Sequence, residues 1–403
     1  MSPLVVTKLH IPQPRTNLVL RPRLMARLTE GLEKRLTLIS APAGYGKTTL
    51  LSEWLSKEKY NAAWISLDKR DNDPVRFWSY VVNALHHSFL SPQNTPFEVV
   101  TNLEIQVDEP LLGAWINDLD QFSKRTILVL DDYHCIDNQS IHKNLAYLIE
   151  NAPANLHLVI STRADPPLPL ARLRARSQMV EIRLTDLRFT IQESTDFFHS
   201  VMGMMLSREE LTLLETRTEG WVAGLQMAGL SLQGNENPSS FLKDFSGEDS
   251  YILDFLFDEV FKHQPIAIQN FLLKTSNLEQ FCGSLCDAVT SRVNSQEILE
   301  TLDRRNLFLI SLDDRRRWYR YHGLFADLLK SRLKQIYPQD IDQLHRKASV
   351  WYAVQGYPEQ AIHHSLIAKD YATAADQIEQ IVSKLDKHNK QALLTQWLDS
   401  LPQ

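Results

Sequence analysis

The sequence predicts a multidomain α/β plus α protein: a P-loop NTPase parallel sheet, a helical domain, a winged helix and the start of a tetratricopeptide-like helical array. Three observations carry this expectation. Short apolar runs alternate with helical stretches as far as about residue 185. The first of these runs, Leu36–Ser40, leads straight into APAGYGKT at 41–48. From Asp186 onward the alternation stops and helical patterns dominate.

The stretch LTLISAPAGYGKTTLLSEWL (36–55) sets out a strand, a loop of small residues and a helix in consecutive order. A polyphosphate needs many donors at close range. Backbone N–H groups from Ala43 to Thr48 can turn inward only where the loop takes unusual angles and carries little bulk, which Gly44 and Gly46 permit. The helix that follows starts at the phosphates, so its free N–H groups and positive dipole end add to the site. Lys47 is expected to supply a point charge to the β- and γ-phosphates, and Thr48 a hydroxyl to Mg²⁺. The loop residues expected to hold ATP or ADP are thus Ala43, Gly44, Tyr45, Gly46, Lys47, Thr48 and Thr49. One departure from G-x-x-x-x-G-K-[ST] stands at the first position, which is Ala41.

Further strands are expected at Ala62–Leu67, Thr126–Leu130, Leu156–Ser161 and Met179–Leu184. Helices are expected between them at Pro74–Ser88, Leu111–Phe122 and Ile141–Asn151. Such alternation means a parallel sheet covered by helices on both faces. Near-continuous apolar runs such as ILVL and LHLVI suit strands buried on both sides. Ligands of such sheets bind beyond the carboxyl ends of the strands, so the residues just after each strand matter most. After strand three come Asp131 and Asp132. Asp131 is placed to hold Mg²⁺ through water, and Asp132 to orient the attacking water. After strand four comes Arg163, which would sit beside the γ-phosphate if strand four lies between strands one and three. Arg172, Arg174 and Arg176 follow as either phosphate contacts or a plain basic surface.

Ahead of the first strand, Thr7–Asn17 is punctuated by Pro12 and Pro14, and Pro22 opens a helix at the position where proline fits. Leu24, Leu28 and Leu32 mark its apolar face. A lead-in placed here suits a cover for the adenine. Beyond the sheet, a helix is expected over Thr190–Met202, opened by the capping box of Thr190 and Glu193. Another is expected at Ser207–Thr216, and a third opens at GWVAGLQ (220–226). Gly234–Ser240 is a polar break, a linker or an exposed loop. A helical block runs from Ser250 to about Leu273. Asn306–Leu312 and Arg317–Tyr321 flank a turn at Asp313–Arg316, the shape of a winged helix. Arg315, Arg316, Arg317 and Arg320 suit either a DNA-touching wing or a solvated turn. Helices at Ile341–Gln355, Tyr357–Ala368 and Tyr371–Leu385, with Asn389–Asp399 beginning another, have the cadence of tetratricopeptide-like repeats. The expected domains are 1–185 (nucleotide binding), 186–240 (helical), 241–338 (winged helix) and 339–403 (helical arm).

The chain has 403 residues, 43% hydrophobic and 23% charged, with a net charge of -6, a balance that argues against nucleic-acid binding as its main task. Its three cysteines, Cys135, Cys282 and Cys286, give no second pair for a zinc site and suit small buried hydrophobes in a reducing compartment. No apolar run approaches the ~20 residues of a membrane span, and the N-terminus has no signal-peptide pattern. A cytoplasmic protein without membrane contact is expected.

Several stretches together resemble one family. They are KLHIPQPRTNLVLRPRL, APAGYGKTTLLSEW, AWISLDKRDNDPVRFW, LVLDDYH, STRADPPLPLARLRAR, LRFTIQE, EGWVAGLQMAGL, LFLISLDDRRRWYRYHGLFADLL and WYAVQGYPEQAIHHSL. In this order and spacing they resemble the N-terminal part of large LuxR-type bacterial regulators of the MalT kind, members of the STAND class of signal-transducing P-loop ATPases. The resemblance implies a nucleotide switch, with ADP held at rest and ATP in the active form. It implies inducer-dependent exchange, self-association of the ATP form and slow hydrolysis as the reset. It also implies that Val19, Leu20 and Arg21 cover the adenine, that Arg163 is a sensor arginine, and that His322 reaches the ADP β-phosphate. The inducer would act through a sensor, and DNA would be bound through a C-terminal domain, both lying beyond this chain. The winged helix of such proteins contacts other domains rather than DNA. Asp132 stands where fast motors carry Glu, which fits slow turnover. A continuously cycling ATPase and a non-hydrolysing scaffold are the competing expectations.

Overall fold

The computed structural model describes residues 4–14, 17–89, 107–121, 124–233, 241–242, 245–313, 315–382 and 397. The linker expected at 234–240, Asp314 of the wing turn, residues 383–385 and most of the helix expected from Asn389 lie outside them. The chain divides into two compact units, residues 1–239 and 240–403.

In the first unit, α1 (Pro22–Gly31) precedes β1 (Leu36–Ser40), and α2 (Lys47–Glu58) follows it. Then come β2 (Ala62–Ser66), α3 (Pro74–Phe89), α4 (Glu109–Asp120), β3 (Thr126–Asp131), α5 (Gln139–Asn151), β4 (Leu156–Thr162), α6 (Leu170–Ala175) and β5 (Met179–Arg183). The five strands form one all-parallel sheet in the order β2-β3-β4-β1-β5. Every residue of β1, β3 and β4 is buried, as expected for strands covered on both faces. Aromatic side chains fill one side of this core: Phe77, Trp78 and Trp115 pack edge to face. Because β4 lies between β1 and β3, the loops after all three strands emerge side by side.

The remainder of the unit is helical. α7 (Leu184–Leu187) leads to α8 (Ile191–Asp196), α9 (Arg208–Thr218) and α10 (Val222–Leu232). The capping box of Thr190 and Glu193 is present: the Thr190 hydroxyl accepts the Glu193 N–H, and the Glu193 carboxylate accepts that of Thr190. The helix expected over Thr190–Met202 is continuous over 191–201, but not uniform. It turns more widely at Phe197–Val201, where Met202 N–H donates to Phe197 O at 3.1 Å, five residues back.

The second unit opens with α11 (Ser250–Leu256), a wide turn at Phe257–Phe261 and, after Pro265, α12 (Ile266–Thr275). α13 (Gly283–Thr290) and α14 (Ser295–Arg304) lead to a hairpin of β6 (Leu309–Ser311) and β7 (Tyr319–Tyr321), closed by α15 (Gly323–Ile336). Phe281 adds an isolated antiparallel bridge to Tyr319 beside this two-stranded hairpin, in keeping with a winged helix. Its core gathers Phe281, Phe308, Tyr321 and Phe325. The wing arginines Arg315, Arg316 and Arg317 are exposed, and Arg316 pairs with Asp303 at 3.4 Å. α16 (Ile341–Val354), α17 (Pro358–Ile367) and α18 (Tyr371–Val382) then stack as successive hairpins. Gly356, at φ 79°, makes the first turn and Pro358 opens the next helix.

Candidate nucleotide-binding site

The loop between β1 and α2 is built for an anion. Gly44 and Gly46 sit at φ 79° and 76°, a region open to glycine at little cost. At Gly44 space is also decisive: a Cβ there would lie 2.6 Å from Ala223 Cβ and 2.7 Å from Trp221 Nε1. Gly46 caps α2 from a left-handed conformation and leaves the first N–H groups of that helix directed at the loop.

The loop is locked from behind by α10 and the residues before it. Trp221 Nε1 donates to Ala43 O at 3.0 Å, and Ala223 N–H donates to Gly44 O at 3.0 Å. Trp221 is fully buried. The GWVAG stretch thus fixes two carbonyls of the phosphate loop. The sequence marks it only as a helix start, although its paired glycines around a tryptophan are an available signal of close backbone approach. Tyr45 is buried, so the loop contributes its backbone there and its ring to packing; burial pushes the phenol up.

Lys47 is buried, and its Nζ donates to Ala41 O at 2.9 Å and Pro42 O at 2.8 Å. Burial lowers its pKa to about 8, while the carboxylates of Asp132 and Asp131 oppose the fall and Arg163 adds to it. Those three residues therefore share one electrostatic neighbourhood with the lysine. Thr48 Oγ1 donates to Asp131 Oδ2 at 2.8 Å across 83 residues of sequence. Asp131 ends β3 and is 3% exposed, and its Oδ1 has no hydrogen-bond partner among the described residues. A buried carboxylate oxygen left unpaired is costly unless a cation or its water completes it. The hard oxygen pair of Thr48 and Asp131 thus fits Mg²⁺.

Asp132 follows at φ 57°, its side chain 44% exposed. His134 lies 3.7 Å from it. Burial first, then Arg163 and Lys47, lower the His134 pKa to about 3, so the imidazole is neutral at pH 7. Arg163 directly follows β4 and is half-buried. Of the arginines after it, Arg172 pairs with Glu150 at 2.5 Å and Arg174 with Glu181 at 2.8 Å, while Arg176 is exposed.

Beside the loop opens a cavity of about 220 Å³, lined by Val19, Arg21, Thr49, Glu53, Phe189 and Gln226 among others. Its apolar walls and few polar groups suit a purine base. Val19 lines it, whereas Leu20 is 56% exposed and lies outside it. Arg21 lines the cavity, but its guanidinium is committed to the helical part. It donates to Leu187 O at 2.8 Å and Arg188 O at 3.0 Å, and lies over the Phe189 ring at 4.8 Å. The expected lead-in segment is thereby pinned to the region beyond the sheet. Glu53, 6% exposed and paired with Lys57 at 3.0 Å, was not foreseen as part of this wall. His322 belongs to the second unit, where it is buried, precedes α15 and packs edge-on against Phe308.

A parallel sheet with a glycine-rich loop, a buried Lys and an Asp beside the loop threonine defines a P-loop NTPase fold. In keeping with that, the chain superposes on a Walker-type ATPase of Pyrococcus abyssi with a TM-score of 0.56, at 15% identity, over 79% of this chain and 99% of the other. The family is narrower. Residues 257–341 match the MalT winged helix domain. Over 99% of its length the chain is 35% identical to the HTH-type transcriptional regulator MalT of Serratia proteamaculans (strain 568), and 34% identical to that of Yersinia pestis (strain Pestoides F). It spans 44% of the length of each of these relatives. The chain is thus similar to these regulators over nearly its whole length, and residues 257–341 carry the winged-helix match. Among the described residues no helix is long and apolar enough to cross a membrane.

Proposed function

We propose that this chain is the nucleotide-switched ATPase module of a MalT-like transcriptional regulator, with ADP held at rest and ATP in the active, self-associating form. The observation that carries the reading is the convergence of Thr48 and Asp131 beneath the phosphate loop, with Asp131 Oδ1 left for a cation. In this proposal Thr48 and Asp131 hold Mg²⁺, which neutralises charge on the β- and γ-phosphates. Lys47 exchanges its contacts with Ala41 O and Pro42 O for phosphate oxygens. Ala43 to Thr49 supply backbone donors, and the base occupies the cavity beside Val19 and Arg21. Asp132, partly exposed, orients the attacking water, and Arg163 marks the γ-phosphate from the end of the central strand. A short carboxylate in that role supports slow hydrolysis, used as a reset.

The four-part division at 185, 240 and 338, with a helical arm from 339, is part of the proposal, as is His322 as an ADP contact. Inducer binding and operator DNA recognition are assigned to regions of the parent protein beyond this chain, as its regulator relatives suggest.

Size-exclusion chromatography in ADP, in ATP and without nucleotide tests the reading. A larger species is expected in ATP alone. The Lys47→Ala variant should lose it, with nucleotide affinity down about 100-fold, as for removal of a buried charged partner. Identical profiles in all three conditions would contradict the switch.

A further inference from the structure

The second unit contains a cavity of about 700 Å³ that nucleotide binding leaves unused. Residues of the hairpin, α15, α16 and α17 line it. One part of the wall is aromatic, with the Trp318 and Tyr357 ring centroids 6.1 Å apart. Another part is cationic. Lys330 and Lys334 stand one turn apart on α15, and neither has an acidic or hydrogen-bonding partner among the described residues. Lys330 is half-buried, Lys334 is exposed in the last turn of α15, and the weak repulsion between like charges at this spacing would be offset by a bound anion. Asn277 also lines the cavity, and its buried Nδ2 has no hydrogen-bond partner among the described residues. An unmet buried donor costs on the order of 1–3 kcal/mol, which an acceptor on a ligand would recover.

Two acidic residues share the wall. The Asp313 carboxylate accepts the N–H groups of Arg317 at 2.9 Å and Trp318 at 3.2 Å, so it serves its own turn. Glu279 is exposed. The buried pair His345 and His364 meets Nδ1 to Nδ1 at 2.7 Å. Burial lowers their pKa values to about 4 and about 3, so at pH 7 they bring hydrogen-bonding capacity without charge. No group of three His, Cys, Asp or Glu among the described residues could hold a metal ion.

We propose that this cavity binds a small aromatic anion of the aryl phosphate class, with its phosphate at Lys330, Lys334 and Asn277 and its ring against Trp318 and Tyr357. Two ammonium groups match a dianion, and an unsatisfied amide donor adds a hydrogen bond to it. Recognition of this kind is independent of the phosphate loop in the first unit.

Isothermal titration of the full chain with phenyl phosphate, at saturating ADP and Mg²⁺, tests the proposal. Phenyl phosphate should bind, inorganic phosphate about tenfold more weakly and phenol not measurably. The Lys330→Gln/Lys334→Gln variant should lose about tenfold or more in affinity for phenyl phosphate. Asn277→Asp, nearly isosteric, should weaken binding in the same direction. No binding of phenyl phosphate, equal affinity for inorganic phosphate, or unchanged affinity in the double-lysine variant would each overturn it. A phenyl phosphate signal that survives replacement of the lysines overturns this proposal alone, because the nucleotide reading is tested separately by Lys47→Ala.

Discussion

As proposed anion sites, the phosphate loop and the cavity of the second unit are built in opposite ways. The loop relies on backbone N–H groups and one lysine, and its shape is imposed from behind by Trp221 and Ala223. The cavity relies on side chains drawn from five stretches between Asn277 and Ile367, with charge supplied by lysines that carry no counter-ion among the described residues. A backbone cradle is preorganised and costs little ordering on binding, whereas long lysine side chains must give up rotamer freedom. The first arrangement suits tight retention of a nucleotide, and the second suits a weaker, exchangeable ligand.

The contrast can be sharpened by breaking the cradle alone. Gly44→Ala combines a φ of 79° with close contacts to Ala223 and Trp221. It should cost about 2 kcal/mol or more in the stability of the first unit. Nucleotide retention should be lost, read by equilibrium dialysis, while phenyl phosphate binding stays unchanged.

Acid should weaken the scaffold beneath the cradle. His157 sits at the amino end of β4, 1% exposed, its Nδ1 against Lys34 O at 2.9 Å and its Nε2 against Thr37 Oγ1 at 3.0 Å. Burial lowers its pKa from 6.5 to about 4. Between those values the unfolded chain binds a proton that the folded chain refuses. Stability is therefore intact above pH 6.5 and lost as pH falls towards 4, by up to about 3 kcal/mol. Denaturant titrations across that window should show the loss, with a shallower slope in His157→Gln.

The smallest effect concerns the lock. Trp221→Phe keeps most of the buried ring and removes the Nε1 donor to Ala43 O. A cost of about 1 kcal/mol, or roughly fivefold in ADP affinity, is expected in a binding titration. An unchanged affinity would mean that the loop holds its shape without this contact.

The cradle was legible because its physics is local. APAGYGKT brings loop glycines, lysine and threonine together within eight positions, and apolar strand runs announce where Asp131 and Arg163 must emerge. The strand order that sets Arg163 beside the loop is not fixed by any spacing in the chain, and the sheet supplies it with β4 between β1 and β3. The contacts of Trp221 with Ala43 cross 178 residues, and those of Arg21 with Leu187 cross 166, so no spacing announces them. The wide turn at Phe197–Val201 was missed because its residues keep a helical apolar pattern while the hydrogen bonds lengthen by one residue. The aryl-anion cavity left no trace in sequence, since Asn277, Trp318, Lys330 and Tyr357 each look like ordinary surface or core positions until the hairpin and helices assemble.

The central claim is that the first unit is a nucleotide latch. The most direct measurement is the identity and amount of nucleotide released by denaturing freshly purified chain. The account predicts close to one ADP per chain, retained through gel filtration. Protein that emerges free of nucleotide, and that fails to take up ADP when it is added, would contradict it.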